Sequence, residues 1–204
     1  LDDLKKSYAG RLELIYGNAE QITNFGNVWF KALQINKSVN VLVNALGVLR
    51  PSTDPTEIDV RIEAMLVNYH APVLISDLAI EHFKKNKLPG VIVNLGSRAG
   101  YRGMPEGLYH YADSKAALTL HTQQIARENA AQGIIAAVVA PGPVEGRMLD
   151  SLNTEARAKS LASMPSGKPV TLDEVAEMIL FIASRKTPSA TGGVCDLMGG
   201  SYFH

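Results

Sequence analysis

Tyr111 and Lys115 stand four residues apart in the run Tyr111-Ala112-Asp113-Ser114-Lys115, fourteen residues after Ser97. From Asp113 to Ala130 apolar Ala116, Ala117, Leu120 and Ile125 recur at helical intervals with no Pro or Gly between them, so the phenol and the amine share one helix face. A phenol with a pKa of about 10 moves protons poorly at neutral pH. An ammonium roughly 5 Å away, at an effective dielectric near 20, favours the phenolate by about 3 kcal/mol, more than two pKa units. That brings a tyrosine toward the range a general acid or base needs. Ser97, at the end of an apolar strand, then has the task of holding a carbonyl or alcohol oxygen while Tyr111 moves the proton. The Tyr-Lys spacing alone is also what an ordinary helix face produces, so the reading depends on its neighbours.

The elements that must position these residues alternate. Leu12–Tyr16, Val39–Val43, Val91–Leu95, Ile134–Ala140 and Gly193–Met198 read as strands. Helical patterns span Ile22–Leu33, Val60–Lys85, Asp113–Ala130 and Leu172–Ser184, with a shorter one at Glu155–Met164. Thr171, followed by Asp173 and Glu174, supplies an N-cap for the helix at Leu172. This alternation implies an α/β fold, a doubly wound, mostly parallel sheet in three layers, α/β/α. Ligands of such sheets collect at the C-terminal strand ends, where Asn18, Asn44, Ser97 and Pro141-Gly142 stand. Within the second helical pattern Pro72 lacks an N–H for the carbonyl of Asn68, four residues earlier. A helix broken there frees an acceptor for an ordered water near the lysine.

Composition excludes other classes. The 204 residues suit a single domain, and 46% hydrophobic content is that of a globular chain. Basic and acidic residues both number 20, with no block of one sign, which argues against nucleic acid and anionic membranes as partners. The single cysteine, Cys195, has no intrachain partner and fits a cytoplasmic setting. His70, His82, His110, His121 and His204 show no metal-ligand spacing. His110 neighbours Tyr111 and is a candidate for the substrate pocket. Tyr109 is a decoy, because the residue four on is Asp113, an acid in place of the cation that Tyr111 has.

Five motifs in order carry a resemblance. Asn44-Ala45-Leu46-Gly47, Asn68, Ser97-Arg98-Ala99-Gly100, Tyr111 with Lys115, and Pro141-Gly142 make the chain resemble the short-chain dehydrogenase/reductases over essentially its whole length. The resemblance implies reversible hydride transfer between NAD or NADP and a ketone or secondary alcohol. It also implies roles: Tyr111 as general acid or base, Ser97 polarising the substrate oxygen, Lys115 acting on the tyrosine and on the nicotinamide ribose, and Asn68 anchoring a relay water. Pro141, Gly142 and Val144 would pack at the nicotinamide, Asn44 and Gly47 on the adenosine side, and Asn18 at the adenine. A small-molecule carbonyl or alcohol substrate and a homodimer or homotetramer follow from the same source.

Departures accompany the likeness. Ala45 and Leu46 add bulk beside the cofactor path, and Gly146 stands where the family commonly has a Thr. No Gly-rich phosphate turn follows a strand near the start, so the first strand resembles the family's third. A βαβ unit of roughly 30 residues or more is then expected before Leu1, making residues 1–204 one N-terminally incomplete Rossmann-type domain. These departures sustain an alternative: a catalytically weak binding or interaction protein that keeps the fold.

Overall fold

The computed structural model describes residues 6–18, 21–54 and 56–201. Their sheet consists of β1 (Val41–Asn44), β2 (Val91–Leu95), β3 (Ile135–Pro141) and β4 (Val194–Leu197), all parallel and in that spatial order. Asn44 stands opposite Asn94, Leu95 opposite Val139 and Pro141 opposite Leu197, so the C-terminal ends line up along one edge. The helices are α1 (Ile22–Asn36), α2 (Ile58–Met65), α3 (Ala71–Asn86), α4 (Ala99–Arg102), α5 (Tyr109–Asn129), α6 (Arg147–Asp150), α7 (Thr154–Ala162) and α8 (Leu172–Ala183).

Alternation along the strands sorts the side chains into two layers. Ile92 and Ala136 face Trp29 of α1, Ile75 and Phe83 of α3, and Ile125 of α5. Val91, Val93, Ile135 and Ala137 face the other way, onto Val175 and Ile182 of α8. With both faces of β2 and β3 covered, these strands are apolar almost throughout. Phe83 is wholly buried, and its ring lies so close to Gly90 that a Cβ there would come within 2.0 Å of Cδ2. The turn into β2 therefore requires glycine.

Helix ends follow local chemistry. Thr171 and Glu174 form a reciprocal capping box at the start of α8, and Asn153 accepts from Ala156 N at the start of α7. α5 runs uninterrupted for 21 residues, starting four residues earlier than its apolar periodicity suggests, so Tyr111 lies inside its first turn.

Two expectations need correction. Leu12–Tyr16 is not a strand: residues 12–18 are irregular. A strand there needs a hydrogen-bonding neighbour, and among the described residues β1 pairs only with β2. The helix expected to break at Pro72 does not break; it widens. Leu66–His70 forms a π-helical turn between α2 and α3, with Ala71 N bonding Leu66 O, and Pro72 sits in the first turn of α3 where its missing N–H costs least.

Candidate active site

The strand edge and the start of α5 meet around three side chains. Ser97 follows β2 by two residues, and its Oγ accepts from Ala99 N at 3.1 Å. This local bond fixes the serine and leaves its proton to be donated elsewhere. The Ser97 hydroxyl is close enough to the Tyr111 phenol to oppose the effect of burial on it, so the two hydroxyls lie near each other. Lys115, one helical turn on, is 2% exposed, donates to Leu95 O at 2.8 Å, and places Nζ 6.0 Å from the centre of the Tyr111 ring.

Glycine allows this closeness. A Cβ on Gly100 would fall 2.9 Å from Ala116 N and 3.1 Å from the carbonyl carbon of Lys115, both backbone atoms of α5. The short helix α4 can therefore rest directly on α5 beside the Tyr-Lys pair only with a bare Cα at this position.

The electrostatics depart from expectation. Burial raises the Tyr111 phenol above its ordinary value, with the Ser97 hydrogen bond opposing in part, and burial pushes Lys115 down to about 8. The expected lowering of Tyr111 by the ammonium is absent, because desolvation disfavours the phenolate and Lys115 directs its hydrogen bond to the Leu95 carbonyl rather than to the phenol. Tyr111 is thus protonated at neutral pH and ready to donate.

Asn68 lies in the π-helical turn and is completely buried. Its Oδ1 accepts from Val48 N at 2.8 Å, and its Nδ2 donates to Val48 O and to Ser114 Oγ, each at 3.0 Å. Ser114 in turn donates to Tyr111 O at 2.7 Å. The side chain thus ties the loop after β1 to the helix carrying Tyr111, leaving its backbone carbonyl, which Pro72 cannot serve, as the candidate water acceptor. Sequence reasoning missed Ser114. A hydroxyl beside a buried lysine in a helix needs a partner, which was the available signal.

The remaining candidates divide. Gly47 borders the lysine: a Cβ there would stand 3.6 Å from Lys115 Nζ and 3.5 Å from Asn68 Oδ1, so the bare backbone leaves an approach to the ammonium. Pro141 ends β3, Gly142 N donates to Leu197 O at 2.9 Å, and Val144 pairs with Val170. Asn44 turns into the core, its amide donating to Asn94 Oδ1 at 2.7 Å and to Ser76 Oγ at 3.2 Å, while Asn94 donates to Thr122 Oγ1 at 2.8 Å. This buried ladder serves the sheet, and its member Asn94 was legible as the one polar residue in an apolar strand. Asn18 is exposed in the irregular segment 12–18 instead of capping a strand; its backbone carbonyl accepts from Gln21 N. Gly146 has φ +119°, a conformation closed to threonine without strain, which accounts for that departure.

His110 is buried with Nε2 2.9 Å from Arg50 O, a packing contact between α5 and the loop after β1. Tyr109 OH accepts from Arg61. No group of three or more His, Cys, Asp or Glu among the described residues is placed to hold a metal, and no described helix is long and apolar enough to cross a membrane.

The donor set suits the nicotinamide end of a dinucleotide. Lys115 has three protons and one protein acceptor, facing a glycine backbone. Ser97 and Tyr111 stand beside it with their hydroxyls together.

A family model described as enoyl-(acyl carrier protein) reductase matches residues 2–201. A 3-oxoacyl-[acyl-carrier-protein] reductase of Vibrio harveyi is 30% identical over 166 residues, covering 81% of this chain and 68% of the relative. One from Thermotoga maritima is 33% identical over 171 residues, covering 83% and 69%. Protein FixR of Bradyrhizobium diazoefficiens is 32% identical over 172 residues, covering 81% and 60%. The chain thus spans about two thirds of the length of the relatives it matches.

Proposed function

This chain belongs to the short-chain dehydrogenase/reductase family of NAD(P)-dependent oxidoreductases, and from that premise we propose that it reduces the ketone of a 3-oxoacyl thioester or a related small 3-oxo compound. The observation that carries the proposal is the convergence of the Ser97 and Tyr111 hydroxyls beside a buried, protonated Lys115 whose Nζ lies 6.0 Å from the Tyr111 ring centre. Bound nicotinamide dinucleotide supplies the hydride, or removes it in the reverse direction.

Every other part of the reaction falls to the chain. Ser97 and Tyr111 bring two hydroxyls together, and both can turn their O–H groups to a bound carbonyl oxygen that gains negative charge. Tyr111, protonated because burial holds its pKa up, donates the proton to that oxygen. Lys115 faces the developing phenolate with a positive charge and has donors left for the ribose hydroxyls. The Asn68 carbonyl, at the π-helical turn, holds the water through which the lysine side is reprotonated. Gly47, Pro141, Gly142 and Val144 form the cofactor wall. Asn44 supports it from within the sheet, and Asn18 belongs to the adenine side.

The nucleotide is NAD or NADP. The single cysteine supports a cytoplasmic setting. Exposed Ile58 and Ile62 on α2 and Leu120 on α5 support a homodimer or homotetramer. The test is steady-state kinetics of the native-length protein with acetoacetyl-CoA and with crotonyl-CoA, each with NADH and NADPH. Ketone reduction that Tyr111→Phe lowers by about 10²–10⁴-fold, with nucleotide binding retained, is expected. Reduction of the 2-enoyl thioester alone would overturn the assignment of the carbonyl as the reacting group. A catalytically weak binding protein would bind nucleotide and reduce neither.

A further inference from the structure

Arg98 follows Ser97 directly, and its side chain runs away from Ser97's bonding partners across the C-terminal edge of the sheet. Its backbone N donates to Pro141 O at 3.1 Å, and its Cδ is 3.7 Å from where a Cβ on Gly142 would lie. The guanidinium donates through Nη2 to Ser163 Oγ at 2.8 Å, and through Nη1 to Ser201 Oγ and to Met164 Sδ at 3.4 Å. Ser163 gives its own proton to Ser160 O, so toward Arg98 it acts as an acceptor. One side chain therefore joins the strand end with Ser97, the end of α7, and the turn after β4.

The segment that Arg98 secures is a loop whose ends meet. Gly142, where the chain leaves β3, lies against Met164: a Cβ at Gly142 would be 3.0 Å from Met164 Sδ. Between them α6 buries only Leu149, and α7 buries nothing. An ion pair of Arg157 with Asp150, 3.5 Å apart and exposed, adds little. So few buried contacts make opening of the segment inexpensive relative to unfolding of the sheet.

Arg98 is 8% exposed and has no carboxylate within ion-pair distance among the described residues. Burial, with Arg102 adding repulsion, lowers its pKa to about 10, so it remains charged at neutral pH. A buried cation facing only neutral acceptors is a poor source of stability. Its planar fork is a good source of geometry.

We propose that Arg98 is a positioning residue that pins the 142–164 segment to the strand end bearing Ser97 and so sets how closely that segment borders the Ser97–Tyr111 site. This rests on the ketone-reductase reading of the site. In the native-length protein, trypsin cleavage at Arg147, Arg157 and Lys159 is timed by mass spectrometry. Nucleotide affinity, KM and kcat with acetoacetyl-CoA are measured alongside, for Arg98→Met, Arg98→Lys and Ser163→Ala. The expected result for Arg98→Met is cleavage in the segment at least tenfold faster and KM raised about tenfold, with nucleotide affinity within twofold of native and Arg98→Lys and Ser163→Ala intermediate. Cleavage and KM within twofold of native overturn the proposal. So does joint loss of nucleotide binding and of the folded state in Arg98→Met while Ser163→Ala behaves as native, since Arg98 then serves the fold alone. If the native protein reduces no 3-oxo thioester, the functional reading fails by itself, and the cleavage rates still decide whether Arg98 pins the segment.

Discussion

Lys115 combines two demands on one residue. Its position on the buried face of α5 removes it from water, which favours the neutral amine, whereas the proposed chemistry needs a cation beside Tyr111. With a pKa of about 8 it is mostly charged at pH 7 and loses that charge just above. Ketone reduction is accordingly expected to fall as pH rises through about 8 in a kcat/KM profile. Folding stability moves the other way. Between about pH 8 and 10 the unfolded lysine still holds its proton while the folded one has released it, so the unfolded state binds more protons and stability rises with pH. Chemical denaturation at pH 7.5 and 9.5 should show this gain in the native protein and its loss in Lys115→Met. Tyr111, whose folded pKa is raised above 10.0, opposes this gain only as pH approaches 10, where the unfolded phenol begins to lose its proton first. The pairing of these residues was legible from their spacing, but the direction of the tyrosine shift was not, because desolvation depends on what packs around a side chain and spacing is silent on that.

At the level of elements, close approach of backbones is the recurring device. α4 rests on α5 at Gly100, and the turn into β2 passes Phe83 at Gly90. Gly100→Ala meets backbone atoms that cannot move without shifting α5, so it is expected to lower stability by about 1–3 kcal/mol and kcat at least tenfold by displacing the Tyr111 end of the helix. Thermal denaturation and kinetics on one preparation check both. A stable variant with native kcat would show that α4 does not hold α5. Gly90→Ala meets a ring held in the core and should destabilise without changing the KM of the folded fraction, read from denaturant midpoints and initial rates. The elements themselves were largely legible: Val91–Leu95 matches β2, and α8 begins at Leu172 behind its Thr171 cap. The π-helical turn was not, because a proline signals a lost hydrogen bond without saying whether the helix breaks or shifts its bonding by one residue.

For the whole molecule, the uneven cover of the sheet has consequences. Leu42 faces the α1 and α3 layer, whereas Val41 and Val43 point to the opposite face, where each is 40% exposed while α8 covers β2 and β3. An apolar strand face that is this open among the described residues is an adhesive surface. Val41→Lys with Val43→Lys is expected to reduce self-association of the 204-residue chain in light scattering, and an unchanged particle mass would count against that role. The sequence alone determined the α/β alternation and the family, and it singled out Ser97, Tyr111, Lys115 and Asn68 as the proposed set, because periodicity and motif spacing are local properties that survive without knowledge of packing. Tertiary structure alone decided that Asn44 joins a buried ladder with Asn94, that Asn18 follows an irregular segment rather than a strand, and that Arg98 reaches across three segments. Those outcomes depend on which distant residues a side chain meets, and burial and hydrogen-bond partners are set only when strands and helices close on one another.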